Sequence, residues 1–256
     1  VGNIPTSDGI IHGAGDELYN NASEFYRAEN GQPIGYFWGY KTAGIFQNTQ
    51  EIDEWRAAGN GILQSNVQPG DVRFVDRNHD GQINDKDKVN LGNGTPDFTL
   101  GLNLGFVYKG FDFSIVANGA FGQQIVQSYR NHTRPTPNYT TAILDRWHGE
   151  GTSNRIPRVT DSNINYQFSD LFIQNGDYLR LSTLTLGYDF AKLFKGKAVS
   201  QARLYFQVQN LFIITGYDGM DPEIGFGSSN NSWVSGLDYG YYPRPRTVLV
   251  GVNLKF

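Results

Sequence analysis

The chain has 256 residues, of which 18% are charged and 14% aromatic, and its formal net charge is -4. A weakly acidic chain without a cluster of Lys and Arg lacks the positive surface that nucleic-acid binding requires, so we exclude that class of function. The absence of cysteine excludes disulfide bonds, thiolate metal sites and thiol nucleophiles.

Residues 1–96 contain no segment with the long, regular alternation of apolar and polar residues that is typical of a membrane strand, and we expect a loop region with local structure there. One short helix is predicted in this region. Asn48 and Glu51 have the spacing of a capping box, in which two side chains satisfy the first backbone N–H groups of a helix. Gly59 can end this helix, because glycine readily adopts the left-handed conformation of a helix C-terminus.

Residues 76–87 match the calcium-loop pattern D-x-[DN]-x-[DN]-G at its first six positions. The predicted ligands are the side chains of Asp76, Asn78, Asp80 and Asp87 and the backbone carbonyl of Gln82. Asp87 stands at the twelfth position, where helix–loop–helix sites have a Glu that binds the ion through both carboxylate oxygens. The sequence does not decide whether the shorter Asp87 side chain also binds through both oxygens. We predict a structural Ca²⁺ ion; the alternative is an Asx-rich turn held together by side-chain to backbone hydrogen bonds.

Five segments alternate apolar and polar residues with a period of two, as in strands with one apolar face. They are residues 98–108, 111–118, 184–190, 203–209 and 247–256. Lys109-Gly110 is predicted to form a tight turn between the first two. Leu179 and Leu181 have the opposite parity to Leu184, which predicts a bulge or a change of environment between them.

The connections between these segments alternate between short and long. Lys109-Gly110 and residues 191–201 are short, whereas residues 122–177 and 215–243 are long. Outer-membrane barrels have short periplasmic turns and long extracellular loops, and their strands have about 9–11 residues. Alternation also occurs in soluble antiparallel sheets, so a secreted, calcium-stabilised carbohydrate-binding β-sandwich remains the alternative.

No apolar run approaches the roughly 20 residues of a membrane helix, and the first residues lack a signal peptide, so we expect any export signal to lie outside this chain. The sequence has none of the H-E-x-x-H, G-x-S-x-G or Walker patterns. Asp53 and Glu54 are adjacent on the predicted helix and point apart. We therefore expect a protein that is not an enzyme.

Aromatic residues in the loop segments are candidates for contact with a substrate or with a covering partner, since aromatic rings stack on sugars and on peptide side chains. These candidates are Trp38, Tyr40, Trp233, Tyr239 and Tyr241. The alternative is that these rings pack the loops together or against a partner.

Several blocks distributed over almost the whole chain carry a family resemblance. They comprise residues 33–42, 44–47, 68–87, 92–93, 96–98, 108–112, 147–152, 177–181, 209–212, 221–223 and 242–246. With these blocks the chain resembles the C-terminal portion of the SusC-like (RagA-like) TonB-dependent outer-membrane transporters.

The resemblance implies an all-β fold, in which residues 97–256 supply the last five strands of an antiparallel transmembrane β-barrel of about 22 strands with long extracellular loops. It implies import of glycans or peptides across the outer membrane of a Gram-negative bacterium. The implied partners are a SusD-like surface lipoprotein that acts as a lid and the TonB complex, which acts through an N-terminal part absent from this chain. An N-terminal barrel and plug polypeptide must complete the sheet, because open strand edges are costly in lipid. Phe256 resembles the aromatic signal that the barrel-assembly machinery reads.

Overall fold

The computed structural model of the chain describes residues 8–13, 24–127, 141–160, 163–191, 199–224, 233 and 235–256. In these ranges the chain is mostly β-structure with one α-helix. No helix in the described ranges is long and apolar enough to cross a membrane.

The strands are β1 (Ile10–Gly13), β2 (Tyr26–Glu29), β3 (Tyr36–Tyr40), β4 (Thr42–Ile45), β5 (Val72–Phe74), β6 (Lys88–Asn93), β7 (Phe98–Tyr108), β8 (Phe111–Phe121), β9 (Gln124–Gln127), β10 (Ile173–Asn175), β11 (Tyr178–Asp189), β12 (Gln201–Thr215), β13 (Leu237–Asp238) and β14 (Thr247–Lys255). The helix is α1 (Thr49–Ala57), and short 3-10 turns occupy Asp85–Asp87, Thr141–Asp145, Asn163–Tyr166 and Asp170–Phe172.

The chain divides into two compact units. The first comprises Val1–Gly94, Ile125–Gln174 and Gly225–Gly240, and the second comprises Thr95–Gln124, Asn175–Ile224 and Tyr241–Phe256. Parts of both predicted long loops therefore fold together with the N-terminal region in the first unit.

The first unit contains a four-stranded sheet in the order β1-β2-β3-β6, a three-stranded sheet in the order β10-β9-β13, and the pair β4-β5. Its larger core cluster consists of Phe25, Tyr26, Phe37, Leu91, Val126, Phe168 and Leu237. Its smaller core cluster consists of Tyr40, Val72, Phe74 and Ile83. The first unit thus has a core of its own, to which the N-terminal region and the later segments both contribute. The sequence of residues 1–96 does not predict this core, because strands of three to six residues show too little alternation.

The predicted helix is confirmed as α1. Asn48 is its N-cap, and its Oδ1 accepts a hydrogen bond from the backbone N of Glu51 at 2.9 Å. The Glu51 carboxylate accepts from the backbone N of Gln47 at 2.9 Å rather than from that of Asn48, so the reciprocal bond lies one residue earlier than in a capping box. Gly59 follows the helix with φ +82°, as predicted.

The second unit contains a single antiparallel sheet in the order β14-β12-β11-β8-β7. Its strands have 9 to 15 residues and confirm the five predicted strand segments. β7 and β8 are joined by Lys109 and Gly110, which both have positive φ, at 49° and 93°. Positive φ at both central residues is typical of a type I′ turn, whose twist matches that of the flanking strands.

A bulge in β11 confirms the irregularity that the sequence predicts. Leu181 and Thr183 pair with consecutive residues of β8, so Ser182 is the extra residue. Because side chains in a strand alternate between faces, one extra residue places Leu184 on the same face as Leu179. β11 therefore presents one apolar face along its whole length.

A substitution at Gly39 tests the packing of the first unit. A Cβ atom at Gly39 would lie 2.6 Å from a ring carbon of Phe168 and 2.7 Å from its carbonyl oxygen. We expect Gly39→Ala to destabilise this unit by about 1–3 kcal/mol through overpacking, measured by pulse proteolysis of the purified protein in urea. Gly216→Ala is the control, since nothing lies within 4 Å of a Cβ atom at that position. Equal urea midpoints for the two variants would contradict the packing described here.

Candidate functional site

One face of the five-stranded sheet is apolar in every strand. The directly paired residues Phe106, Phe113, Leu186, Phe206 and Val250 form one row across the sheet. Paired residues share a face, so the neighbouring apolar rows lie on the same side. Their members include Leu100, Leu102, Leu104, Ile115, Ala117, Leu179, Leu181, Leu184, Leu204, Val208, Phe212, Ile214, Val248, Val252 and Leu254.

This apolar face is open in the structure. Phe106 is 62% exposed and Val250 is 70% exposed. Strands about 4.8 Å apart and a rise of about 3.4 Å per residue give the face an area on the order of 700 Å². The largest apolar patch on a typical soluble monomer is about 300–600 Å². The face therefore needs an apolar environment or an apolar partner.

Aromatic rings gather at one end of the apolar face. Phe111 and Tyr188 are directly paired, with ring centroids 4.4 Å apart. Phe190 stands edge-on to Tyr188 at 4.6 Å. In transmembrane barrels, aromatic girdles lie at the level where the strands leave the hydrocarbon layer.

The opposite face of the sheet is mainly polar. The row of Gly105, Ser114, Thr185 and Gln207 ends with Leu249 as its one large apolar member. In the next row toward the β7–β8 turn, Asp112 is followed across β11 by Gly187, where a Cβ atom would lie 2.3 Å from the Asp112 carboxylate. The two faces of the same five strands therefore differ in polarity.

Charged side chains on the polar face are paired across strands. Arg203 of β12 reaches over β11 and donates from Nε to Oδ1 of Asp112 in β8 at 2.7 Å. Gly187 lies between them in β11 and leaves room for this contact, because a Cβ atom there would lie 2.7 Å from the Arg203 Nε atom.

A second, more deeply buried group of charges centres on Arg180 in β11. Its Nη2 donates to Oδ1 of Asp221 at 2.6 Å, and its Nε lies 3.0 Å from Oε2 of Glu223. Arg244 lies 3.1 Å from the other Glu223 oxygen. The group holds two cations and two anions, so it is balanced in charge, and it fixes the segment after β12 to the strand wall. These residues belong to three of the sequence blocks that carry the family resemblance. Those blocks do not indicate which of the charged residues pair with one another.

The predicted calcium loop begins with a buried carboxylate. Asp76 is 1% exposed. Its Oδ2 accepts hydrogen bonds from the backbone N of Gly81 at 2.8 Å and of Gly61 at 3.0 Å. Its Oδ1 is also buried and has no hydrogen-bond partner.

The loop closes with a second buried carboxylate. Asp87 is fully buried and accepts hydrogen bonds from the backbone N of Arg77 at 2.9 Å and of Asn84 at 2.8 Å. Between the two ends, Asn78 and Asp80 are exposed, and Nδ2 of Asn78 donates to Oδ2 of Asp80 at 2.8 Å. Among the described residues no three His, Cys, Asp or Glu side chains are grouped as metal ligands.

The aromatic candidates of the first unit are packed against its interior. Tyr40 is buried in the smaller core cluster, and burial, followed by the charges of Asp85 and Asp87, raises its pKa to about 12. Trp38 is half-buried, with the Arg27 guanidinium carbon 3.9 Å from the centre of its ring. These contacts favour the packing alternative at Tyr40 and leave part of Trp38 accessible.

The later aromatic candidates differ from one another. Trp233 and Tyr239 are partly buried against the larger core cluster, and the Trp233 ring lies 4.9 Å from that of Tyr26. Tyr241, in the second unit, is 45% exposed. Phe256 follows β14 and is 84% exposed. Tyr241 is therefore the most accessible of the five aromatic candidates.

No family model matches the chain. The chain is 33% identical over 237 residues to the TonB-dependent receptor P3 of Formosa agariphila, a match covering 88% of this chain and 22% of that protein. It is 32% identical over 197 residues to the TonB-dependent receptor SusC of Bacteroides thetaiotaomicron, covering 76% of this chain and 18% of that protein. The chain thus spans roughly a fifth to a quarter of the length of the curated relatives it matches.

Among solved structures, the chain resembles the RagAB peptide transporter with a TM-score of 0.64 and 20% identity, over 91% of this chain and 24% of that chain. It also resembles the RagAB peptide importer in the 'open-open' state with a TM-score of 0.62 and 20% identity, over 90% and 23% of the two chains. At this identity the likeness shows a shared fold. Together with the curated relatives, it confirms the family resemblance found in the sequence blocks.

Replacement of Arg180 tests how much this group of charges on the polar face contributes to stability. Arg180→Met leaves the buried carboxylate of Asp221 without its cation, so we expect the free energy of unfolding to fall by about 3–5 kcal/mol, measured by urea denaturation of the protein in detergent. The double variant Arg180→Met/Asp221→Asn should recover part of the loss. The control is Arg246→Met, since Arg246 is exposed. Equal stability of Arg180→Met and the control would contradict this account.

Proposed function

We infer from these similarities that the chain is part of a SusC-like TonB-dependent outer-membrane importer, to which its second unit contributes a section of the barrel wall. The observation that carries this proposal is the open apolar face that runs across five paired strands. In a membrane barrel this face would contact lipid, and the polar face would line the lumen.

The secreted β-sandwich alternative is less consistent with the structure. A sandwich buries the apolar face of each sheet against a second sheet about 10 Å away. Within the described residues the apolar face of the five-stranded sheet remains open, as the exposure of Phe206 and Val252 shows. Similarity to proteins named TonB-dependent receptors over 76% to 94% of this chain also favours the importer.

The edges of the sheet indicate what must complete it. β7 and β14 are the outermost strands of the five, so each has one edge that pairs with no strand in the described part of the chain. Such edges are very costly in lipid, because the hydrocarbon offers no hydrogen bonds. We propose that an N-terminal polypeptide, which supplies the remaining strands and the plug, pairs with both edges and closes a barrel of about 22 strands.

The position of the first unit follows from the same proposal. Residues 1–96 and the connections at 122–177 and 215–243 would lie on the extracellular side, where a SusD-like lipoprotein acts as a lid. Of the five aromatic candidates, Tyr241 is exposed and Trp38 is partly exposed, and these two would contact the lid or a captured substrate. Energy would come from the TonB complex through the N-terminal part.

We propose that the cargo is an oligosaccharide or a peptide, and that the protein transports it without making or breaking bonds. One relative is named SusC, and the structural neighbours are named peptide transporters. At 20% identity those neighbours support the fold alone.

Paired substitutions on adjacent residues of β12 test which face meets lipid. Phe206→Arg places a charge on the apolar face, and Gln207→Arg places the same charge on the polar face. Phe206 lies one paired row from the Phe111–Tyr188 end of the apolar face. We therefore expect Phe206→Arg to cost about 1–2 kcal/mol, between the costs at the interface and at the midplane of a bilayer, and so to reduce the amount of folded protein in the outer-membrane fraction several-fold. The measurement is heat-modifiable mobility of the protein extracted from that fraction.

The matched variant decides the orientation. Gln207→Arg should accumulate in the outer membrane at close to the level of the parent protein. If Gln207→Arg were lost and Phe206→Arg were retained, the assignment of the two faces would be reversed, and equal accumulation of both would argue against a membrane wall.

The proposed lid can be tested by isolation. The full-length protein, extracted from outer membranes with a mild detergent, should elute together with a SusD-like lipoprotein in size-exclusion chromatography, and mass spectrometry should identify both chains. Recovery of the importer alone, under conditions in which other lipoprotein complexes survive extraction, would count against the lid.

A further inference from the structure

The loop at residues 76–87 combines a calcium-loop sequence with two buried carboxylates that lack a cation. Asp76 and Asp87 are 1% and 0% exposed. Neither forms a salt bridge with Lys or Arg among the described residues. Buried charges in proteins are normally paired with an opposite charge or bound to a metal, so this loop has a deficit of positive charge.

Asp76 supplies the most specific observation. Backbone N–H groups of Gly61 and Gly81 both donate to its Oδ2, which fixes the orientation of the carboxylate. Oδ1 is left buried with no partner. Buried polar atoms nearly always have a hydrogen-bond partner, a water or an ion. Because Gly81 belongs to the loop itself, the carboxylate is held at the turn that a calcium ion would occupy.

The remaining oxygen donors follow at the spacing that calcium requires. Asn78 and Asp80 stand at the third and fifth positions and Gln82 at the seventh, where the backbone carbonyl is the ligand. In the structure Nδ2 of Asn78 donates to Asp80, which turns both side chains toward each other. Both side chains are exposed and can rotate, so binding would replace this hydrogen bond with two metal–oxygen contacts.

The loop is connected to the interior of the first unit. Ile83 is buried in the smaller core cluster with Tyr40, Val72 and Phe74. Gly61 approaches the backbone of Gln82 so closely that a Cβ atom would lie 2.5 Å from its carbonyl carbon. An ion in the loop would therefore stabilise this cluster through Ile83 and Gly61.

We propose that residues 76–87 bind one calcium ion, with Asp76, Asn78, Asp80, Asp87 and the carbonyl of Gln82 as ligands, and that the ion stabilises the first unit. Asp87 already accepts one backbone hydrogen bond on each oxygen, so it contributes its charge with its orientation set in advance. The affinity of comparable extracellular loops corresponds to a Kd of about 10⁻⁴–10⁻³ M.

The test is a calcium titration of the purified full-length protein in detergent after removal of metals with EDTA. Isothermal titration calorimetry should detect binding in that range, and millimolar calcium should raise the temperature of thermal unfolding of the first unit by mass action. Absence of both heat and a thermal shift at millimolar calcium would overturn the proposal.

Two variants that each remove one negative charge from the loop test which side chains bind the ion. Asp80→Asn removes the negative charge of a proposed ligand at an exposed position and should weaken calcium binding about tenfold or more, because affinity depends on the number of charged ligands. Asp85→Asn is the control, because Asp85 is exposed in the same loop and pairs with Lys88 instead. It should leave the Kd within about twofold of the parent value. Equal weakening by both variants would indicate a diffuse effect of charge and overturn the assignment.

Asp76→Asn tests the buried position. It keeps the size of the side chain but removes the charge, so calcium should no longer bind or raise the unfolding temperature. Binding with unchanged affinity in a folded Asp76→Asn protein would contradict the role given to Oδ1.

Discussion

The fold of the second unit depends on the register in which its five strands pair. Directly paired residues lie on one face, so the alternation of each strand must match that of its neighbours. β11 meets this requirement because Ser182 is bulged, which brings Leu179 and Leu184 to the same side. The turn at Lys109 and Gly110 sets the register of β7 on β8. The separation of an apolar from a polar face, and hence the proposed lipid and lumen surfaces, follows from this register.

The two units distribute polar and apolar residues in opposite ways. The first unit buries aromatic rings such as Phe25 and Phe37 in a conventional core. It also buries Asp71, whose carboxylate accepts hydrogen bonds from Arg158 and Asn165. The second unit exposes its large apolar side chains and buries charged groups such as Arg180. Burial of apolar surface stabilises proteins in water, so the second unit depends on apolar surroundings or added strands.

Much of the fold could be predicted from the sequence wherever the signal was local. Long alternation identified the five strands of the second unit, and Asn48 and Gly59 identified the ends of the helix. The short strands of the first unit carried no comparable signal. Tyr40 was predicted as a contact residue, but its ring is buried with Val72 and Phe74, which lie more than thirty residues later in the chain. A residue type alone cannot distinguish a buried ring from an exposed one.

The sequence by itself determined the period-two pattern of the strands, the turn at Lys109 and Gly110, and the spacing of oxygen donors in residues 76–87, because each of these depends on neighbours within a few positions. Only the tertiary structure decided that Arg180 pairs with Asp221, and that Asp76 is buried with one oxygen unsatisfied. These outcomes depend on contacts between segments distant along the chain. Burial and charge balance are properties of such contacts, and a local pattern of residues does not encode which distant segment will supply them.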